Sequence, residues 1–294
     1  ACRLLTGVGA ALIPPNSLAT VADIFPAARR GKALGWVISA SGLGTAFGIP
    51  LTALLTEVGG WRLPFIVIGT FLLLLWVLLW VWFPSSPRGH ALSFGAHLRE
   101  VCSQRGCWYV LTANCLQVMA FMGMSGYLAA YLMQRYGMSA GETALPLTMA
   151  GLGVVAGSLL GGRVASQQQR LAVLAFSFAG GGLAAAILFT LPISPWLTVG
   201  LAFGASTLLL LSWPVTAVLL MGISGQSRAT ATGLFAVSNQ LGFMGGSSLG
   251  GVMLSLGHFT LLGIFCIATA LAASMIIRCS EKTICSSRPN LVRE

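Results

Sequence analysis

Arg30-Gly31-Lys32-Ala33-Leu34-Gly35 and Arg228-Ala229-Thr230-Ala231-Thr232-Gly233 lie 198 residues apart, and the same spacing carries on beyond them. Arg30 meets Arg228, Ala33 meets Ala231 and Gly35 meets Gly233. Further along, Leu43 meets Leu241, Gly44 meets Gly242, Gly48 meets Gly246, Leu51 meets Leu249 and Gly59 meets Gly257. Self-similarity at a fixed spacing marks a fold built from equivalent units. Working outward, four apolar segments beginning near Cys107 precede the second copy, whereas one, residues 1–24, precedes the first. The repeat therefore predicts about ninety further residues, room for three spans, ahead of Ala1. A start at Ala, inside an apolar run, agrees with that expectation.

Composition sets the solvent. The chain is 56% hydrophobic and 7% charged, with a mean hydropathy of +0.88. Soluble domains carry about 25% charged residues. Nine runs of about the length that crosses a bilayer stand out: 3–24, 34–56, 62–83, 108–133, 143–165, 171–191, 196–221, 230–255 and 259–278. They do not alternate with period two, so the expectation is an all-α polytopic membrane protein rather than a barrel. Parallel repeats of spans are the internal symmetry of one class of transporter.

The net charge of +10 follows the topology. Arg29, Arg30, Lys32, Arg88, Arg99, Arg105, Arg163, Arg170, Arg228, Arg278, Lys282, Arg288 and Arg293 fall on one side of the predicted spans, and only Arg62 and Arg135 on the other. Cations accumulate in cytoplasmic loops. The C-terminus is therefore expected inside, and the basic excess is no nucleic-acid footprint. The seven cysteines form no C-x-x-C pair and there are three histidines, so neither a structural metal nor a cofactor is expected. No phosphate-binding G-x-x-x-x-G-K motif and no nucleophile–base arrangement is visible, which argues against ATP-driven transport by this chain and against an enzyme.

The longest internal connection runs from Pro84 to Gly106 and divides the chain. The expected units are residues 1–83, a linker 84–106, residues 107–279 and a polar, disordered tail 280–294. Within the linker, Ala91, Phe94, Leu98 and Val101 recur at helical spacing; a short interfacial helix and a plain connection are both open readings.

Small residues recur four apart: Gly44 and Gly48; Gly153, Gly157 and Gly161; Gly242, Gly246 and Gly250. Such series let helix backbones approach closely. On this reading Gly48→Leu abolishes transport and leaves insertion intact. Pro14-Pro15 and Pro214 interrupt their helices, and Pro214 falls one place beyond Pro15 under the repeat. Helix breaks in transporters tend to lie near substrate. This brings in Asn16 after the first break and Trp213 before the second. Asn114, Gln117, Tyr127 and Tyr131 share one face of the fourth segment, and Asn239-Gln240 lie in the eighth. Lipid penalises such groups, so they are expected to face the bundle or a wet cavity. Helix-to-helix hydrogen bonding is the competing reading. No Asp or Glu sits in mid-span: Asp23, Glu57 and Glu142 are near span ends.

Several motifs now resemble one family. Arg3-Leu4-Leu5-Thr6-Gly7-Val8-Gly9-Ala10-Ala11 is similar to the fourth-helix motif of the major facilitator superfamily. Asp23 to Pro26, followed by Arg30-Gly31-Lys32-Ala33, resembles the link to its fifth helix. Gly35, Gly44 and Gly48 reproduce the spacing of its antiporter motif. Here Pro50 follows Gly48 one place late, and Thr52-Ala53 replace a glycine pair; this pattern, with Gly60-Trp61-Arg62, looks more like the sugar and nucleoside efflux branch (arabinose-efflux-like). Gly162 to Arg170 resembles a worn copy of the family's cytoplasmic motif, with Ser166 in place of the acid.

The resemblance implies a major facilitator fold of two six-helix halves, with helices 4 to 12 present. It implies a secondary transporter in the inner membrane, a lipid-embedded monomer exporting a small molecule in exchange for protons, with Arg3 assisting proton transfer. Gly7, Gly9, Pro15, Gly35, Gly44, Gly48, Pro50, Gly242 and Gly246 would serve packing and gating. The alternatives are a multidrug exporter of the same family and a truncated relic or membrane scaffold without turnover.

Overall fold

The computed structural model of the chain describes residues 9, 13, 17, 20–21, 24–82, 94–139, 141–165, 167, 169–191, 194–224, 227–256 and 258–281. Among them every regular element is a helix: α1 (Ala27–Gly59), α2 (Leu63–Trp82), α3 (Phe94–Ser103), α4 (Arg105–Tyr136), α5 (Ala144–Val164), α6 (Arg170–Thr190), α7 (Pro195–Ile223), α8 (Arg228–Ser255) and α9 (Phe259–Cys279). Gly9, Ile13, Ser17, Thr20, Val21 and Ile24, in the first predicted segment, are also helical.

The helix ends follow local chemistry. Gly60 takes φ 70° to close α1, donating its N–H to Thr56 O at 2.9 Å. Gly137 does the same for α4 at φ 67°, onto Met133 O. Both conformations lie where a side chain is strained. α7 opens with Ser194, whose hydroxyl accepts from Leu197 N–H, and with Pro195 in the first turn, where a missing N–H costs nothing. Pro214 sits inside α7, which runs on through it.

Among the described residues, six helices are long and apolar enough to cross a membrane: α2, α4, α5, α6, α7 and α9. α1 and α8, the two copies of the repeat, have ample length at 33 and 28 residues but fall outside that apolar set. Gly, Ala, Ser and Thr supply much of their sequence, so they rely on neighbours more than on lipid.

α5 packs along α7, and α1 packs along α5; on the other flank α6 packs along α9, and α9 and α8 along α4. α4 and α7 meet in the middle. One apolar cluster near the linker end joins Val101, Val110, Leu111, Leu219, Ala231 and Phe235. A second, toward the opposite helix ends, joins Leu128, Tyr131, Leu188, Phe189 and Leu262. α2 is the exception: its apolar stretch has no buried share in this chain.

Glycine decides how close these helices come. A Cβ at Gly153, Gly157 or Gly161 would fall on the carbonyl oxygens of Phe203, Thr207 and Leu211 in α7. At Gly242 it would lie 2.8 Å from Cys115 O, and at Gly246 2.6 Å from Met119 O, both in α4. At Gly35 it would lie 3.0 Å from Ser158 O in α5. Gly44 and Gly48, further along α1, have no such neighbour among the described residues. A Cβ at either position meets nothing within 4 Å among them. Gly9 likewise meets nothing within 4 Å among the described residues.

The linker reading resolves to a helix. α3 buries Val101 completely and half-buries Leu98, while Arg99 and Glu100 stay largely accessible. Ala91 and the tail beyond Glu281 lie outside the described residues.

Candidate functional site

The polar residues of α4, α7 and α8 gather where these three helices meet. Asn114 is completely buried and Asn239 is 9% exposed. Asn114 Nδ2 donates to Asn239 Oδ1 at 2.7 Å and lies 3.1 Å from Ser238 Oγ. Trp213 Nε1 donates to the same Asn239 Oδ1 at 2.8 Å. Ser238 Oγ donates to Leu111 O, and the Thr216 hydroxyl lies 3.5 Å from Asn114 Oδ1. The Trp213 ring meets Phe243 edge to face, centroids 6.3 Å apart.

An indole N–H can only donate. The Asn239 atom it meets must therefore be the oxygen, and the atom that Asn114 offers to that oxygen must be its nitrogen. The indole thus fixes both amides and turns the NH2 group of Asn239 away from both partners, as a donor without a hydrogen bond among the described residues. Gln117 ends the other way. Its Nε2 donates to Leu209 O at 2.9 Å, and its Oε1 has no partner among the described residues although Gln117 is 1% exposed. A buried polar atom left unpaired costs roughly 1–3 kcal/mol. Among the described residues the cluster thus has a spare donor on α8 and a spare acceptor on α4, with no formal charge. None of these side chains would carry a proton at neutral pH.

The structure brings Asn114, Trp213 and Asn239 together, with Gln117 one helical turn from Asn114. It separates the other candidates. Tyr127 gives its hydroxyl to Ser247 O and lays its ring against Gly250, filling the α4–α8 seam. Tyr131 is 3% exposed and stacks edge to face with Tyr136, Phe189 and Phe259, at 5.9, 5.2 and 5.1 Å. These two tyrosines are packing residues here. Gln240 is exposed and joins no cluster among the described residues. Arg3, Gly7, Pro15 and Asn16 lie outside the described residues; Pro50 lies within α1, its side chain outside them. Thr216 and Ser238 join the site without having stood out in the sequence, since hydroxyl residues are scattered through all these helices. Among the described residues no cluster of His, Cys, Asp or Glu could hold a metal.

Known proteins share this architecture. A solved structure, the Escherichia coli fucose:proton symporter, superposes with a TM-score of 0.67 at 18% identity, over 90% of this chain and 72% of that one. A bacterial homologue of the human lysosomal transporter Spinster superposes with a TM-score of 0.55, also at 18% identity, over 92% and 74%. Among curated proteins, an MFS-type transporter of Bacillus subtilis is 24% identical over 90% of this chain and 66% of its own length. The gallate transporter of Pseudomonas putida is 26% identical over 92% and 69%. The chain thus spans about two thirds of the length of these curated relatives. The family profile described as Major Facilitator Superfamily matches residues 1–212, and with most of its length inside that match the chain belongs to this superfamily of membrane transporters.

Proposed function

We propose that this chain works as a secondary active transporter that exports a small, uncharged or weakly charged molecule in exchange for protons. Two units, residues 1–83 and 107–279 joined by 84–106, would rock against each other to alternate access. The protein would sit as a monomer in the inner membrane with its C-terminus in the cytoplasm, as the placement of Lys and Arg argues.

The observation that carries this reading is the uncharged cluster of Asn114, Asn239, Trp213 and Thr216, drawn from three helices and lying away from their ends. Polar groups inside an apolar bundle are costly and tend to mark substrate pathways. The spare donor of Asn239 and spare acceptor of Gln117 suit a hydroxylated ligand. Two of the matched proteins are named for small molecules with several hydroxyls, fucose and gallate, the second also a carboxylate. A sugar or nucleoside is the substrate class we favour. Proton coupling is proposed by resemblance, with Arg3 assisting.

The test is transport by the full-length protein in inverted membrane vesicles with an imposed pH gradient. A panel of labelled pentoses, hexoses and nucleosides should yield a saturable, gradient-dependent flux that Asn239→Leu abolishes at normal expression. Flux that ignores the pH gradient would remove proton coupling; flux that survives Asn239→Leu would remove the site.

The Trp213–Phe243 pair favours a second reading, a multidrug exporter, because aromatic edges accept many flat apolar ligands. Broad resistance in an overexpressing strain would support it, and a narrow range of sugars or nucleosides would oppose it. No turnover with either panel would leave the scaffold reading.

A further inference from the structure

Ser194 and Ser227 hold the same place, the residue just before a helix, and use it differently. Ser194 accepts from Leu197 N–H and so caps its own helix, α7. Ser227 makes no such bond within α8. Its hydroxyl instead donates to Glu100 Oε2 on the linker helix α3. Ser227 is 2% exposed, so this contact is shut in on the serine's side.

The first turn of a helix has N–H groups without helical partners and carries partial positive charge. A carboxylate placed there by another element compensates that charge and ties the two elements together. The next residue, Val101, is fully buried in the cluster that contains Val110 and Leu111 of α4 and Ala231 and Phe235 of α8. The far end of α3 is held as well: Trp108 of α4 donates its indole N–H to Cys102 O at 2.9 Å, meeting a carbonyl that the end of α3 leaves unpaired. Polar contacts thus join α3 to both helices, with an apolar anchor between them.

We infer that α3 is a clasp. Glu100 holds the start of α8, Cys102 and Val101 hold the start of α4, and the three helix ends move as one piece. Any motion of α1 and α2 relative to the second bundle leaves α3 with that bundle. This does not depend on the substrate or on proton coupling.

Hydrogen exchange of the full-length protein in lipid nanodiscs tests it. Glu100→Ala should speed exchange of the amides at 228–232 by about three- to tenfold, the effect of losing a cap, while 107–136 keeps wild-type protection. Ser227→Ala removes the other end of the same bond and should do the same. The double variant should exchange no faster than either single one. Wild-type exchange in Glu100→Ala, or effects of the two changes that multiply, would overturn the clasp. Should Glu100→Ala loosen the whole bundle, Glu100→Gln decides. It keeps an acceptor and drops the charge, so a rise of about twofold confined to 228–232 is expected, and no change there overturns the proposal.

Discussion

α1 and α8 carry the same glycine spacing and meet different fates. In α8, Gly242 and Gly246 lie against backbone carbonyls of α4. In α1, Gly44 and Gly48, their partners in the repeat, open on nothing within 4 Å among the described residues, while Gly35 alone lies against α5. A glycine series therefore encodes readiness for a close neighbour and not the neighbour itself. The sequence shows a face from which side chains have been removed; only the packing shows whether another backbone uses it.

Leucine substitution at equivalent positions should break that comparison most sharply. Gly246→Leu pushes into Met119 O and Met122, and should destabilise the bundle by about 3 kcal/mol or prevent folding. Gly48→Leu should leave thermal stability in detergent within about 0.5 kcal/mol. If Gly48→Leu nonetheless abolishes transport in the full-length protein, its face is covered there and the two copies are alike in use. Normal transport would end the expectation of a close-packed seam at Gly48.

The α8 members of the polar cluster, Ser238 and Asn239, have no counterpart among the described side chains of α1. Asn239→Leu strands the Trp213 indole and the Asn114 amide together, and a loss of about 2 kcal/mol is expected in unfolding measurements. An unchanged midpoint would mean that both donors find other acceptors. More finely, Asn114→Ala and Asn239→Ala should couple by about 0.6–1.7 kcal/mol in a double-mutant cycle; strict additivity would remove their hydrogen bond from the account.

The smallest effect lies outside both copies. Ser139 N–H donates to Glu142 Oε2 at 2.7 Å, and Glu142 N–H approaches Ser139 Oγ at 3.3 Å, a reciprocal turn ahead of α5. These bonds hold the Glu142 carboxyl below its ordinary range. Its contribution is present above the unfolded glutamate pKa and is lost as pH falls through the lowered folded value. Exchange of the turn amides, corrected for intrinsic rate, should rise slightly on acidification in the wild type. It should lose that dependence in Glu142→Gln.

Most helices were legible because a bilayer-length apolar run has few other solutions. Predicted 62–83 became Leu63–Trp82, and predicted 259–278 became Phe259–Cys279. The linker helix was half legible: its apolar stripe is too thin to decide, and contacts with α4 and α8 decide it. At the site, periodicity found the face and missed the height. Tyr131 shares a face with Asn114 but lies about 25 Å further along the helix at 1.5 Å per residue, among different neighbours. Gln240 follows Asn239 directly, yet one residue turns about 100° around a helix and takes it out of the cluster. Thr216 and Ser238 carried no signal of their own, since nothing distinguishes them from other hydroxyls until Asn114 is placed beside them.

The donor-only indole of Trp213 has one more consequence, for how this protein can change. Asn239 presents only its oxygen to both partners, and a carboxylate accepts wherever an amide oxygen accepts. Asn239→Asp would thus keep both hydrogen bonds and add a titratable group to an otherwise uncharged cluster. That replacement needs a single nucleotide change. The arrangement that makes the present site neutral also leaves acidity one mutational step away, with the surrounding hydrogen bonds already in place to receive it.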